Sequence, residues 1–600
     1  MSNVPKRTEV PREDRWDLSS LYPDENSWET DLKRLADAEP ELRSYQGRLA
    51  ESTDALLEWL RKSTAAEELQ ERLGYYAMLR QSEDAGDSDN QSRYARFMQV
   101  SARISAAGSF FAPEVQQIPD ETMRRILDDP RLEEYRIVLD RVLRYKPHTL
   151  SPAEERLLAM QQEGDETASR AFGALLDVDM DFGEVETPEG TRTLTQSSYG
   201  SLLEHPDRGV RERAFHQFFG KFGQHKNTLA SLYAGSVQID IYRARVRNFP
   251  SALESRLFPD NVPVQVYDNL LKVVRENLPL LHRYYRLRQR ALDLKDPAIW
   301  DTRVALVPDI KVDNPYEAAV DTVISALEPL GEEYTDTLRA GLLGSWVDRY
   351  ENKGKRSGAF SAGSYHGDPF ILLNYKSDTM RDMFTLAHEA GHSMHSWYSV
   401  RNNPFHHYQY TIFEAEVAST FNEQLLVRHL LTQDPERSMR AYLLSKHVDD
   451  LVATLFRQTM FAEFERRVHE RVENDQALTV DWFRECYRDL LTSYFGEAVH
   501  LPDLLDLEGL RIPHFYRAFY VYKYATGISA AVSLAQRVLE GGTSEREDYF
   551  SFLRSGGSRF PIDSLRVAGV DMAQPEPIRT AMDLFGRRLD ELETALELNG

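Results

Sequence analysis

The segment Thr385-Leu386-Ala387-His388-Glu389-Ala390-Gly391-His392 holds the residue types best suited to metal chemistry in this 600-residue chain. On a helix, residues four apart lie one turn apart on the same face, so His388 and His392 can converge on one small cation. Neutral imidazole nitrogens suit zinc, which takes them at about 2.0–2.1 Å in a tetrahedral shell. Glu389 would lie beside the open coordination position, where it could take a proton from water. The plainer alternative is two histidines on an ordinary exposed helix. With 16 histidines in the chain, His-Glu-x-x-His arises by chance in roughly a few per cent of such sequences.

A catalytic zinc shell needs a third protein ligand and one open position. The candidates are His395, His406, His407, Glu414, Glu416 and Glu423. His395 lies about 10 Å along the helix axis from His388, too far to share an ion, and reads as a supporting or surface residue. The extended motif with a third histidine in the same run needs Gly at 395 and His at 398. The chain has His395 and Tyr398, which excludes that class. Residues 413–423 read as a following helix, with Phe413, Val417, Phe421 and Leu425 as its core stripe. A carboxylate from it would complete a His₂Glu shell. Spacing alone leaves Glu414 and Glu416 both open, and a solvated or supporting role suits Glu414 and Glu423.

The elements that must position these residues are mostly helices. From about residue 27 to 111, and again over 133–176, apolar residues recur three or four apart. Residues 177–195 change character. Val178-Asp179-Met180-Asp181-Phe182 alternates and Thr187-Pro188-Glu189-Gly190 has turn chemistry, which predicts a small β-hairpin. It would close an N-terminal helical domain, 1–195, ahead of a catalytic domain, 196–600. Helices resume over 197–291, and Pro297, Pro308 and Pro315 then break the pattern. Residues 346–375 read as strands and loops. The stretch 369–374 could be a sheet edge to which an extended peptide adds by backbone hydrogen bonds. Gly363 and Gly367 could let the loop beside it move or approach substrate closely. The fold class is mainly α, with a small β-sheet beside the metal helix.

The formal charge of −24 argues against nucleic acid as a partner, because phosphate-backbone binding needs clustered Lys and Arg. The single cysteine, Cys486, cannot build a disulfide framework and reads as a core thiol on an amphipathic helix. The start of the chain has no apolar leader and no run is long enough to span a bilayer. The expectation is a cytoplasmic protein with no membrane partner; an oligomeric state does not follow from the sequence.

At Glu416-Val417-Ala418-Ser419 the chain resembles the M3 family of metallopeptidases, specifically the oligoendopeptidase F branch. That family couples His-Glu-x-Gly-His to a glutamate on a later helix, and the resemblance selects Glu416; the branch often has Pro where Ala418 stands. Residues 16–22, 354–360, 370–375 and 511–527 are similar to other signatures of the branch, in the same order. The resemblance implies a zincin-like, two-lobed helical fold with a deep substrate channel. It also implies one Zn²⁺ per chain on His388, His392 and Glu416, and endopeptidase activity on oligopeptides but not on folded proteins. In this family a His and a Tyr from the C-terminal signature bind the oxyanion. His514 and Tyr522 are the first choices here, with Tyr516 and Tyr520 behind them. By periodicity alone Tyr516, Tyr520 and Tyr524 form an i, i+4, i+8 row that reads as core. Two rivals stay in view: an exopeptidase, which would need a cation to clamp the peptide's terminal carboxylate, and a helical scaffold with incidental histidines.

Overall fold

The apolar spacing produces helices through most of residues 4–308 and 310–598, which the computed structural model describes. Two small sheets accompany them among the described residues. One is a hairpin inside the expected 177–195 segment, β1 (Glu184–Thr187) paired antiparallel with β2 (Gly190–Thr193) about the expected turn; the alternating stretch 178–182 is not one of its strands, because Leu175–Asp179 continues the preceding helix as a wider turn. Gly190 adopts φ 121 at its turn, a conformation that side chains resist. The other sheet has β3 (Val347–Asp348), β4 (Phe360–Ala362) and β5 (Phe370–Leu372) in the order β3-β5-β4. β5 runs parallel to β3 and antiparallel to β4, and all three of its residues are buried. The expected edge at 369–374 is therefore corrected. A continuous apolar run belongs in the middle of a sheet, and the strand at the edge beside it is β4.

By chain contacts the protein divides into two compact units. The first comprises Met1–Pro147, Lys311–Leu430 and Leu534–Val570; the second comprises His148–Ile310, Leu431–Ser533 and Asp571–Gly600. This differs from the expected division at 195, because each unit gathers three separate stretches, and the hairpin belongs inside the second.

In the first unit, α1 (Thr53–Glu83) and α2 (Ser88–Gly108) begin at Ser52 and Asp87, whose side chains accept hydrogen bonds from the opening backbone amides. Gly74 brings them close: a Cβ there would lie 2.6 Å from the Phe97 ring. Trp16, Trp28, Leu56 and Trp59 share one buried cluster with Phe370 and Leu372 of β5. The same two stretches of the chain meet in a buried charge cluster. Lys355 and Asp348 pair at 2.6 Å with no side-chain exposure, and Arg7 reaches Asp348 at 2.5 Å and Glu83 at 2.8 Å. Two cations and two anions in contact offset a burial that either charge alone would not tolerate. The sheet is followed by α3 (Met380–Asn402), capped by the Thr379 side chain, and by α4 (Ile412–Thr432).

The second unit is built on the long helix Arg208–Val246, which buries Phe215, Phe218, Phe219 and Phe222. Tyr233, further along it, stacks at 5.4 Å on Phe483 and at 5.6 Å on Phe515. Cys486 is buried on the helix Val480–Phe495, and burial pushes its thiol up to about 11, an inert state. Among the described residues no helix is long and apolar enough to cross a membrane.

Candidate active site

His388, Glu389 and His392 sit mid-way along α3, and Glu416 and Glu423 project from α4. The predicted stripe of Phe413, Val417, Phe421 and Leu425 is buried, which fixes the rotation of α4 and leaves Glu416 and Glu423 half-buried on another side. The helices approach closely because of Gly391. A Cβ at that position would lie 2.6 Å from the Ala418 carbonyl oxygen and 2.6 Å from Ser419 Cα. Asn422, fully buried, donates from Nδ2 to the Ala387 carbonyl at 3.2 Å and ties the pair together.

His388 Nδ1 donates to the Glu423 carboxylate at 2.7 Å, so its Nε2 faces His392 Nε2 at 3.2 Å and Glu416 Oε2 at 3.6 Å. Donor atoms of His388, His392 and Glu416 all lie within 4.8 Å of one another. Two ligands about 2.05 Å from a tetrahedral ion would stand about 3.3 Å apart, so this donor set fits a zinc-sized cation. Burial opposes charge on His388, but the Glu423 hydrogen bond and the carboxylates of Glu389 and Glu416 outweigh it and raise it to about 9. Burial, then the neighbouring His388 charge, push His392 down to about 3. Glu389 is pushed up to about 7 by burial, against the pull of His388, and accepts a hydrogen bond from the Ser361 backbone on β4.

The other candidates go elsewhere. His395 is not at the surface: it is fully buried, stacked on Tyr410 with ring centres 3.6 Å apart. His406 stacks on Tyr135, and its Nε2 meets the Glu134 carbonyl at 3.0 Å. His407 stands against His406, its ring held down to about 4 by burial and by that neighbour. Glu414 is buried at the start of α4 and accepts from the Thr411 amide at 3.1 Å and from the Thr411 hydroxyl at 3.2 Å. Sequence reasoning assigned no work to Gly391 or Asn422. The signal for Gly391 is a helical glycine facing the small pair Ala418-Ser419.

Residues 201–584 match peptidase family M3, and residues 114–182 match oligopeptidase F. The chain belongs to peptidase family M3. It falls in the oligoendopeptidase F branch and is a metallopeptidase. It is 40% identical to the oligoendopeptidase F homolog of Borreliella burgdorferi, over 98% of this chain and 99% of that one. It is 39% identical to the oligopeptidase PepF of Bacillus subtilis, over 99% of this chain and 89% of that one. The solved oligoendopeptidase-F of Enterococcus faecium superposes with a TM-score of 0.73 at 32% identity, covering 96% of this chain and 99% of its own.

In this M3 chain the candidate ligand set opens on a cavity of about 580 Å³, lined also by Phe360 and Ser361 of β4 and by Tyr75, Gln409 and Tyr410. Gly363, at the end of β4, serves close packing: a Cβ there would lie 2.2 Å from the Ser396 Cβ on α3. The loop after it is anchored to α1, the Tyr365 amide donating to Glu71 at 2.8 Å and His366 Nε2 meeting Glu68 at 2.6 Å. Gly367 in that loop adopts φ 86. The M3 C-terminal signature lies in the second unit. There the Tyr520 hydroxyl hydrogen-bonds His514 Nδ1, both side chains half-buried. Tyr516 stacks on Phe172 at 4.3 Å. Tyr522 is 1% exposed and packs against Tyr267 at 5.4 Å.

Proposed function

We propose that this chain is a zinc-dependent endopeptidase that hydrolyses internal peptide bonds of short oligopeptides, with Glu389 as general base. The observation that carries this reading is the His388–His392–Glu416 triangle facing a cavity, with Glu389 beside it and a strand edge along its wall. His388, His392 and Glu416 would hold the ion. When bound, zinc supplies Lewis acidity toward a water and toward the scissile carbonyl. Glu423 orients His388 through Nδ1 and increases its basicity as a ligand.

Glu389 would take the proton of the attacking water and return it to the leaving amine. Its burial makes it a stronger base than an ordinary carboxylate, and the Ser361 backbone hydrogen bond holds it in place. The β4 edge, Phe360–Ala362, would receive the extended peptide by backbone hydrogen bonds, which reads main chain rather than side chain. For the oxyanion we assign His514 with a tyrosine of its own segment. The sequence signature supports Tyr522; the hydrogen bond to His514 and the greater exposure support Tyr520. The low cysteine content suits work in the cytoplasm.

Glu389→Gln tests the reading. The variant should keep its metal and lose hydrolysis by about 10²–10⁴-fold; near-normal turnover would remove Glu389 from the base role. Peptides blocked at both ends should still be cut by the wild type. Uncut blocked peptides would favour an exopeptidase.

A further inference from the structure

A second, larger cavity of about 940 Å³ lies in the first unit and adjoins the metal cavity, with Tyr75, Gln409 and Tyr410 lining both. Its walls include the aromatic rings of Tyr75, Tyr94, Phe97 and Phe405. Two of the charged side chains that line it are already engaged. Glu71 accepts from the Tyr408 hydroxyl, from Gln409 Nε2 at 2.8 Å and from the Tyr365 amide at 2.8 Å. Arg141 donates to the carbonyls of Gly557 at 2.7 Å and Arg559 at 3.3 Å. The third, Glu67, also borders an adjoining recess of about 230 Å³ and makes no hydrogen bond or ion pair among the described residues. Glu67 is exposed where it borders the cavity, and its partial desolvation there raises its carboxyl with no cation offsetting the effect.

We propose that Glu67 is a specificity residue that receives a cationic group of the peptide substrate in this aromatic-walled cavity. The proposal rests on the peptidase reading and adds to it which peptides are preferred. From Tyr75, where the cavities join, to Glu67 is eight residues of α1, about 12 Å. An extended peptide covers that distance in three to four residues at about 3.3 Å each. The cation therefore lies three to four residues beyond the point where the peptide leaves the metal cavity. Either a Lys or Arg side chain or the free α-amino end supplies it. A carboxylate with aromatic rings around it favours such a group over a neutral one of the same size.

The test uses full-length protein and quenched peptides carrying Lys, or norleucine in its place, at successive positions along the peptide, so that one falls three to four residues beyond the stretch held in the metal cavity, each with a free or acetylated amino end. Wild type should prefer the cationic peptides. Glu67→Gln should lower kcat/KM about tenfold more for them than for the neutral ones, and Glu67→Lys should reverse the preference. Loss of preference on acetylation alone assigns the cation to the amino end; loss with norleucine alone assigns it to the side chain. Binding of the same peptides to the Glu389→Gln variant reads the subsite without turnover. Equal affinity for cationic and neutral peptides there overturns the Glu67 assignment. Failure to hydrolyse any peptide, with the affinity difference intact, overturns the peptidase reading and leaves the subsite standing.

Discussion

Glu423 holds His388, the first histidine of the candidate metal site, through Nδ1 at 2.7 Å, so the nitrogen left for an ion is the one that faces His392 and Glu416. Removing the carboxylate charge in Glu423→Gln should weaken zinc binding about 10–100-fold, read by competition with a chelator; unchanged affinity would reduce Glu423 to a bystander. This division of labour was only partly legible. Glu416 and Glu423, seven residues apart, share one face of a helix, but which carboxylate meets a ring nitrogen depends on how far apart α3 and α4 pack. His395 was harder to read, since a histidine three residues past the motif could face solvent or core. It is enclosed, and neither ring nitrogen has a hydrogen-bond partner among the described residues. Burial, then the neighbouring His392, push it down to about 3. Above its ordinary 6.5 the ring is neutral both folded and unfolded. Below that, only the unfolded chain takes the proton until pH nears 3, so stability is lost as pH falls through this window. By pH 5 the loss from this ring is about 2 kcal/mol. His395→Phe keeps a ring stacked on Tyr410 and removes the proton site. Its melting temperature should drop less between pH 7 and pH 5 than that of the wild type, and an equal drop would clear His395 of the effect.

Among the elements, the close approach of α3 and α4 depends on one missing side chain. The atoms facing Gly391 are backbone of Ala418 and Ser419 at 2.6 Å, not the movable end of a side chain. Gly391→Ala can be accommodated only by parting the helices, at an overpacking cost of about 1–3 kcal/mol. The same displacement carries Glu416 away from His388 and His392. The variant should melt lower and bind zinc more weakly even though no proposed ligand has changed; a normal zinc affinity in a stable variant would show that the helices have slack. Periodicity announced both helices, and the turn residues Thr187–Gly190 announced the hairpin, because each is a property of its segment alone; the alternation at 178–182 misled, since Leu175–Asp179 is helical. The order of the three-stranded sheet was not announced, and the edge was expected one strand too late. Phe370-Ile371-Leu372 carries the mark of a central strand in its unbroken apolar run, whereas Phe360-Ser361-Ala362 becomes an edge only through pairing with β5.

At the scale of the whole molecule, each unit is assembled from pieces far apart in the chain. The expected boundary at 195 follows a real local change, and the two family matches also leave 183–200 between them. That change marks sequence character, not which residues pack together. The first unit's core joins Trp16, Trp28, Leu56 and Trp59 to Phe370 and Leu372, and its charge cluster joins Arg7 and Glu83 to Asp348 and Lys355. Nothing local in residues 1–147 or 311–430 says that they share a core, so this pairing was not legible. A fragment of residues 196–600 would contain His388, His392 and Glu416, the proposed metal ligands, yet lose that half of the core. Each large apolar side chain left unburied forfeits about 1.5–3 kcal/mol, and Lys355 and Asp348 would lose Arg7 and Glu83 as neighbours. Since the net stability of a domain is about 5–15 kcal/mol, the fragment should not fold the region of the proposed metal site. Its thermal melt should lack a cooperative transition for that region, and it should bind zinc far more weakly than the full chain. If the fragment instead melted cooperatively and matched full-length zinc affinity, the contacts with residues 1–147 would be dispensable to the site. The catalytic domain read from the sequence would then be a folding unit in its own right.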